Sequence, residues 1–195
     1  MRLFVALDID EATRERIVRF VDGVEPFAPE ARWVRPESLH VTLKFIGEQK
    51  DEVVAQVKEK LQTIAAHRCE IQFRGYGFFP NPKSARVFWI GMQAGPELGA
   101  LASEIDARMA ELGIEKEDRP FSPHLTLARA GGGSGSPRWR KDDRPNRVFQ
   151  KLQDRLSALP PPEFGAITPR EFFLYQSKLS PEGSIYTKLA GFPLH

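Results

Sequence analysis

The feature that most constrains this chain is a nine-residue pattern that it contains twice. The segment Arg35–Leu43 reads Arg-Pro-Glu-Ser-Leu-His-Val-Thr-Leu, and the segment Arg119–Leu127 reads Arg-Pro-Phe-Ser-Pro-His-Leu-Thr-Leu. Six of the nine positions are identical and stand in the same register. Both copies end in short apolar runs that are typical of a β-strand. The repeat predicts two similar lobes, each of which contributes one such strand to a shared centre.

Within each copy, the histidine and the threonine are two residues apart. Side chains alternate between the faces of a strand, so His40 and Thr42 point the same way, roughly 6–7 Å apart along the chain. The same holds for His124 and Thr126 in the second copy. If the two strands face each other, we expect a cleft that contains two imidazoles and two hydroxyls.

The remaining periodicity predicts an α+β protein. The strand patterns lie at 3–7, 69–79, 85–92, 170–177 and 184–190, besides the two histidine strands, and the helical patterns lie at 51–67, 95–113 and 146–158. A further helix begins at Asp8 or Asp10, either of which can cap it, and runs to about Val21. Residues 25–35 read as a loop or an edge. We expect residues 1–195 to form a single bilobal domain. Its two pseudo-twofold-related lobes should be mainly antiparallel sheet with outer helices and a central cleft.

Composition narrows the class of protein. In 195 residues, 41% are hydrophobic and 28% are charged, which is ordinary for a soluble globular chain. Apolar runs stay far below the ~20 residues that span a bilayer, and the first residues do not resemble a signal peptide. Cys69 is the single cysteine, which excludes an internal disulfide framework. We therefore expect a cytoplasmic monomer with no membrane and no obligate protein partner.

The segment 130–145 differs in character from the rest of the chain. Its first half is rich in glycine and serine, which predicts a flexible loop, and its second half carries four basic residues around Trp139. One interpretation is a solvated surface loop. The other is a flap that contacts a polyanion, with the indole available for stacking.

The histidine pair does not match the common metal or nucleophile motifs. The chain has no His-Glu-x-x-His, no cysteine pair, no Gly-x-Ser-x-Gly and no phosphate-binding Gly-Lys-Ser/Thr loop. The other two histidines, His67 and His195, lie at a predicted helix end and at the last position. Two facing imidazoles without a metal suit acid–base catalysis, since their pKa near 6.5 allows one to be neutral and the other protonated.

The quoted residues also resemble a known family. The two His-x-Thr motifs, the opening Arg2–Asp8, the pair Trp33-Val34 and the segment Pro123–Arg129 are similar to those of the 2H phosphoesterases. Within that superfamily the match is to the bacterial and archaeal RNA 2′,3′-cyclic phosphodiesterases, formerly called 2′-5′ RNA ligases. The resemblance covers essentially the whole chain.

The resemblance implies a reaction and a set of roles. His40 would be the proton donor to the leaving 3′ oxygen and His124 the proton acceptor that activates water. The product would be a 2′-phosphomonoester, and no metal or other cofactor would be needed. Thr42, Thr126 and Arg129 would bind the phosphate. The implied ligands are RNA ends or small nucleotides that carry a 2′,3′-cyclic phosphate.

Strand alternation makes separate predictions for the residues beyond the repeat. Arg129 is five residues after His124, so it points away from the cleft unless the strand ends or bulges near Ala128. Lys44 is four residues after His40 and should share its face, as a second cation near the phosphate or as a surface lysine. Phe45 has the odd offset and either packs in the core or stacks on a base. Trp33 and Tyr186 are weaker candidates for substrate binding.

Two alternatives to hydrolysis remain open at this stage. The chain could be an RNA-end-binding module with weak or no activity, for which the basic segment Arg138–Arg144 is the support. It could also run the reverse reaction, joining cyclic-phosphate and 5′-hydroxyl ends into a 2′-5′ linkage without ATP, because no adenylation lysine motif is evident.

Overall fold

The chain folds into nine strands and four α-helices over the residues that the computed structural model describes, which are 1–131, 146–181 and 183–195. The strands are β1 (Arg2–Asp8), β2 (Ala31–Trp33), β3 (His40–Glu48), β4 (Ile71–Phe79), β5 (Val87–Ala94), β6 (His124–Ala130), β7 (Glu163–Ile167), β8 (Glu171–Ser180) and β9 (Gly183–Pro193). The helices are α1 (Glu11–Val24), α2 (Asp51–Gln62), α3 (Pro96–Ala110) and α4 (Gln150–Ser157).

The strands form two separate antiparallel sheets. The first sheet has the order β3-β1-β8-β9, and the second has the order β2-β6-β5-β4-β7. Every strand pairing in them is antiparallel. This arrangement confirms the predicted α+β class with two lobes of mainly antiparallel sheet, and it places one histidine strand in each sheet.

The helices tie the two lobes together. Helices α2 and α3 pack on the first sheet, against β9 and β3, whereas α1 follows β1 in that sheet but packs against β7 of the second. One large apolar cluster runs under both sheets and includes residues of all four helices or their immediate flanks. A smaller cluster of Phe4, Ala6 and Tyr175 lies on the opposite face of the first sheet, together with Phe173 and Tyr186. That opposite face is the cleft side of the first lobe.

The element boundaries depart from the predicted ones in a few places. Within the segment predicted as a loop or an edge, residues 31–33 form β2, the edge strand of the second sheet. Strand β7 is not predicted, because the short run behind three prolines shows too little periodicity. The cap of α1 is Asp10, whose Oδ1 accepts the Thr13 N–H at 2.8 Å, while Asp8 belongs to β1. Helix α2 ends at Gln62 rather than at His67. Helix α4 begins at Gln150 rather than at 146.

The basic segment around Trp139 falls within 132–145 and so lies outside the described residues. In the described ranges, no helix combines the length and the apolar character needed to cross a membrane.

Candidate active site

The two histidine strands lie side by side at the junction of the sheets. Strand β3 is the edge of the first sheet and runs against β6 of the second. The Val34 N–H, between β2 and β3, donates to the Leu127 carbonyl at 2.8 Å and so ties this segment to β6. His40 and His124 each open their strand, and His124 is close enough to contribute to lowering the pKa of His40. The structure therefore brings the two predicted histidines together.

Each histidine ring is oriented by the same local hydrogen bond. Nδ1 of His40 lies 2.7 Å from the carbonyl oxygen of Ser38, and Nδ1 of His124 lies 2.8 Å from that of Ser122. A carbonyl only accepts hydrogen bonds, so Nδ1 carries the proton in both rings. The neutral rings therefore present Nε2 as the nitrogen that can take or give a proton. In this contact it is the backbone carbonyl of the repeated serine that orients the histidine.

The surroundings of both imidazoles disfavour the protonated form. Burial lowers the pKa of His40 to about 4, with Arg129 and His124 acting in the same direction, while the Ser38 carbonyl and Asp8 oppose them. Burial also lowers the pKa of His124, again with Arg129 contributing and the Ser122 carbonyl opposing. Without an anion in the cleft, both rings are thus held neutral near pH 7.

Aromatic side chains flank each histidine. The ring of His40 lies 4.9 Å from Phe4 and 5.2 Å from Tyr186, the latter edge-on. The ring of His124 lies 5.0 Å from Phe79, also edge-on, and 6.2 Å from Trp89. These contacts exclude water from one side of each imidazole and fix its plane.

The indole of Trp89 rests directly on the backbone of β4 at Gly77. A Cβ at Gly77 would come within 2.1 Å of the indole, so only glycine leaves room for it. The indole Nε1 is buried and has no hydrogen-bond partner among the residues that the structure describes.

Equivalent β-bulges interrupt β3 and β6 just after the threonines. Along β1, Ala6 pairs with Thr42 and Val5 with Lys44, so Leu43 is passed over. Along β5, Trp89 pairs with Thr126 and Phe88 with Ala128, so Leu127 is passed over. In both strands the two residues at the bulge are buried side by side. The bulge reverses the alternation beyond it, whereas Thr42 and Thr126 precede it and share the face of their histidines.

The bulge decides where Arg129 lies. Beyond Ala128 the alternation is reversed, so the odd offset from His124 brings Arg129 onto the cleft face, as expected for a strand that bulges there. Its charge lowers the pKa of both His40 and His124. Burial lowers the pKa of Arg129 itself, and Tyr186 opposes that effect. A guanidinium stays charged under such shifts, so the cleft holds a fixed cation beside both imidazoles.

The equivalent bulge of β3 makes the prediction for Lys44 wrong. Lys44 is turned to the helix side of the first sheet, where it is only 2% exposed. Its Nζ lies 2.6 Å from Asp106 Oδ1 of α3 and donates to the Glu115 carbonyl at 2.7 Å. It is a buried, paired lysine that joins β3 to α3, and it lies neither on the catalytic face nor on the surface.

The three aromatic candidates for substrate binding lie in different places: Phe45 and Tyr186 are on the cleft side, and Trp33 is in the core. Phe45 is turned onto the cleft face, lies 6.3 Å from Phe4 and is 37% exposed, so it does not pack in the core. Tyr186 lies edge-on to His40 and close enough to Arg129 to affect its pKa. Trp33 packs at 5.9 Å against the buried ring of Phe88, and its Nε1 donates to the Ala28 carbonyl at 3.1 Å. Trp33 therefore belongs to the core and not to the cleft.

Three polar residues beside His40 escape prediction from the sequence. Asp8 ends β1 opposite His40, the Tyr175 hydroxyl donates to its Oδ1, and Lys188 Nζ lies 2.5 Å from its Oδ2. The sequence does contain a signal, because Phe4, Ala6 and Asp8 alternate along one strand face. That signal is hidden by the apolar residues on the other face of β1 and by the competing role of Asp8 as a helix cap.

The groups that the cleft presents are two imidazoles, a guanidinium and two threonine hydroxyls. In the part of the chain that the structure describes, no three His, Cys, Asp or Glu side chains are arranged to hold a metal ion. The imidazoles can transfer protons on two sides of a bound anion, and the guanidinium and hydroxyls can hold its negative charge.

Comparisons with known proteins give consistent matches over the whole chain. The family model described as LigT like Phosphoesterase matches twice, at residues 7–89 and 90–186, one match for each half of the repeat. An RNA 2′,3′-cyclic phosphodiesterase of Archaeoglobus fulgidus is 36% identical over 195 residues, covering 98% of this chain and 99% of that protein. One of Methanothermobacter thermautotrophicus is 32% identical and covers 100% and 99%.

Solved structures match the fold at similar coverage. A protein of Thermus thermophilus has a TM-score of 0.77 at 30% identity, over 100% of this chain and 98% of that one. LigT of E. coli in complex with 3′-AMP also has a TM-score of 0.77, at 28% identity over 99% and 97%. The bilobal arrangement is therefore shared with phosphoesterase structures.

Proposed function

The chain belongs to the LigT-like phosphoesterase family, and on that premise we propose that it hydrolyses 2′,3′-cyclic phosphodiesters at RNA ends or on small nucleotides, without a metal. The observation that carries the proposal is the paired orientation of His40 and His124. Each donates its Nδ1 proton to a backbone carbonyl, so each offers Nε2 to a common cleft that Arg129 makes positive. We propose further that residues 1–195 act as one bilobal domain, since a single apolar cluster runs through both lobes.

Two proton transfers complete the proposed reaction. Neutral His124 removes a proton from water as the oxygen attacks phosphorus, and the bond from phosphorus to the 3′ oxygen breaks. Protonated His40 gives its proton to that leaving oxygen, and the product is a 2′-phosphomonoester with a free 3′ hydroxyl. The proton gained by His124 returns through solvent to His40. Each well-placed acid or base contributes about 10²–10⁴-fold in rate.

The bound phosphate supplies the negative charge that allows one of the two histidines to be protonated before the reaction begins. An anion beside Arg129 offsets the guanidinium, which otherwise depresses the pKa of both histidines. Protonation of one imidazole is then favoured in the complex, although both are neutral in the empty cleft. Thr42 and Thr126 share the face of the histidines and can donate to the non-bridging oxygens as charge builds there.

The nucleoside has a suitable surface on the first lobe. Phe45 and Tyr186 lie on the cleft side near His40, and Phe45 leaves more than a third of its surface exposed. An exposed aromatic ring is a sequence-tolerant platform for a base. The proposed base site is thus beside the proton donor His40, and Arg129 is available to bind the phosphate.

The experiment is hydrolysis of an oligonucleotide that ends in a 2′,3′-cyclic phosphate, in the presence of a chelator. The proposal expects full turnover and a 2′-phosphate product, identified by ³¹P NMR. Dependence on added metal, or a 3′-phosphate product, would contradict it. An intact cyclic end after long incubation would favour the RNA-end-binding module, and appearance of 2′-5′ joined strands with a 5′-hydroxyl acceptor would reveal the reverse reaction.

A further inference from the structure

The two halves of the repeat align position by position, which allows a direct comparison of their cross-strand neighbours. Thr42 and Thr126 pair with Ala6 and Trp89, and the residue pairs at the start of each strand are Asp8 with His40 and Gly91 with His124. Asp8 and Gly91 are therefore equivalent positions. One histidine has a carboxylate as its cross-strand neighbour, and the other has no side chain there.

The carboxylate of Asp8 is held on the cleft side by two donors from the neighbouring strands. The Tyr175 hydroxyl of β8 donates to Oδ1, and Lys188 Nζ of β9 lies 2.5 Å from Oδ2. Tyr175 is itself stacked on Phe4 at 5.2 Å, and Lys188 Nζ lies 3.9 Å above the ring of Phe173. Asp8 thus has a fixed position beside His40, although part of it remains exposed.

A carboxylate cannot take the equivalent position in the second lobe. A Cβ at Gly91 would lie 2.7 Å from the backbone carbonyl of Arg74. Strand β4 would have to move to admit any side chain there. The difference between the halves is therefore built into the backbone packing of the second sheet.

We propose that Asp8 is a positioning residue that acts selectively on one of the two histidines, favouring the protonated imidazole at His40 and offsetting part of the cost of burying that charge. This inference rests on the proposed function, in which His40 gives a proton to the leaving oxygen. The negative charge of Asp8 favours imidazolium at His40, the form that a proton donor needs at the start of the reaction. Lys188 neutralises part of that charge and so limits the effect.

The other charged and titratable groups around His40 set the size of the effect. They are Arg129 and His124 from β6, Tyr186 from β9, and the partners of Asp8, which are Tyr175 from β8 and Lys188 from β9; Arg14 from α1 acts on Tyr175 in turn. Arg129 opposes Asp8 at His40, and it acts on His124 as well. Asp8 opposes it at His40, whereas no carboxylate of the described residues is among the groups that act on His124.

The test is a titration of individual histidines by NMR, with ¹³C-labelled imidazoles and 2′-AMP bound as a product mimic. The signals of His40 and His124 are assigned from variants in which one histidine at a time is replaced. In Asp8→Asn, the pKa of His40 should fall by about 0.5 unit, the size expected of a partly exposed ion pair, and that of His124 should move less. In Lys188→Met, which leaves Asp8 unneutralised, the pKa of His40 should rise.

Opposite shifts of the His40 pKa in the two variants distinguish an electrostatic role of Asp8 from a merely structural one. Lost packing would not lower the pKa of His40 in one variant and raise it in the other. If Asp8→Asn does not fold, the Lys188→Met and Tyr175→Phe variants carry the test. An unchanged His40 titration, or equal shifts at both histidines, would overturn the role of Asp8. A wild-type protein that leaves cyclic phosphates intact would instead end the proposed function, and the titration would still report on Asp8.

Discussion

Phe45 and Arg129 occupy the same position in the two halves of the molecule. Each stands five residues after its histidine, and each is turned onto the cleft face by a bulge. Phe45 pairs across the strands with Phe4, and Arg129 pairs with Val87 at the equivalent place. Equivalent β-bulges in the two strands therefore place an aromatic ring on one side of the cleft and a cation on the other. The two halves are alike in fold and unlike in what they can bind.

Replacement of Arg129 should weaken catalysis far more than folding. Arg129→Ala removes the cation beside both histidines, and we expect kcat/KM for a cyclic-phosphate substrate to fall by about 10²–10³-fold. Arg129→Lys should recover part of the loss, because the charge is kept and the planar fork is not. Arg155→Ala, on α4 away from the cleft, is the matched control. A decrease of similar size in the control variant would count against a specific role for Arg129.

Replacement of Phe45 should affect substrate binding. If a base stacks on this ring, Phe45→Ala should raise KM by about tenfold, which corresponds to the usual 1–3 kcal/mol for a base on an aromatic side chain. Phe45→Tyr should bind like the wild type. Leu179→Ala removes another exposed apolar side chain, 63% exposed in the β8–β9 hairpin, and should change neither KM nor Tm. An unchanged KM in Phe45→Ala would rule out stacking there.

Lys44 should matter for stability and little for chemistry. Its ammonium is buried between Asp106 and the Glu115 carbonyl. Lys44→Met keeps most of the volume but removes the donor to the Glu115 carbonyl and the counter-charge of Asp106, whose Oδ1 then accepts from the Glu117 N–H alone among the described residues, so the free energy of unfolding should fall by about 1–3 kcal/mol. Well below Tm, kcat/KM should stay within about threefold of the wild type, since Lys44 faces α3.

A double-mutant cycle with Asp106→Asn isolates the Lys44–Asp106 pair. The two single variants together should destabilise the protein by more than the double variant does. A large loss of kcat/KM in Lys44→Met at unchanged stability would instead place the ammonium in phosphate binding.

Stability should depend on pH through His40. The pKa of His40 is lowered in the folded protein to about 4, while that of a histidine in the unfolded chain is ordinary, near 6.5. The unfolded state therefore binds more protons between these values. The stabilising contribution is complete above about pH 6.5 and is lost as the pH falls towards 4, by about 3 kcal/mol.

Urea unfolding between pH 7 and pH 4, with wild type and His40→Asn compared, checks this dependence. In His40→Asn, the free energy of unfolding should change less with pH than in the wild type. The part of the change that comes from His124 should disappear in the double variant with His124→Asn, because burial lowers the pKa of His124 too. Identical slopes in all three proteins would contradict the assignment.

The repeat allows the centre of the site to be predicted, and local strand geometry limits the rest. His40, His124 and the two threonines precede the bulges, so simple alternation places them correctly. Lys44 is part of the β3 bulge, and Phe45 and Arg129 follow the bulges. The positions of the bulges depend on how Leu43 and Leu127 pack beneath the sheets and against β1 and β5. Alternation misplaces Lys44 for this reason. Its partners Asp106 and Glu115 lie far along the chain, so no local pattern indicates a buried ion pair.

Asp8 and the strands β2 and β7 illustrate a second limit. Strand β2 has three residues and exists only because β6 pairs with it, and β7 likewise depends on β4. The role of Asp8 depends on strands β8 and β9, which supply Tyr175 and Lys188 from the other end of the chain. Periodicity reports which face a residue takes, but it does not report which distant side chain will lie opposite.

The most direct test of the account is the activity of the two single-histidine variants on one substrate. His40→Ala and His124→Ala are assayed on an oligonucleotide with a terminal 2′,3′-cyclic phosphate in chelator, with circular dichroism and Tm as controls for folding. Each folded variant should lose at least about 10²-fold in kcat, because each lacks one of the two proposed proton transfers. Near wild-type hydrolysis by either folded variant would contradict the paired-histidine mechanism.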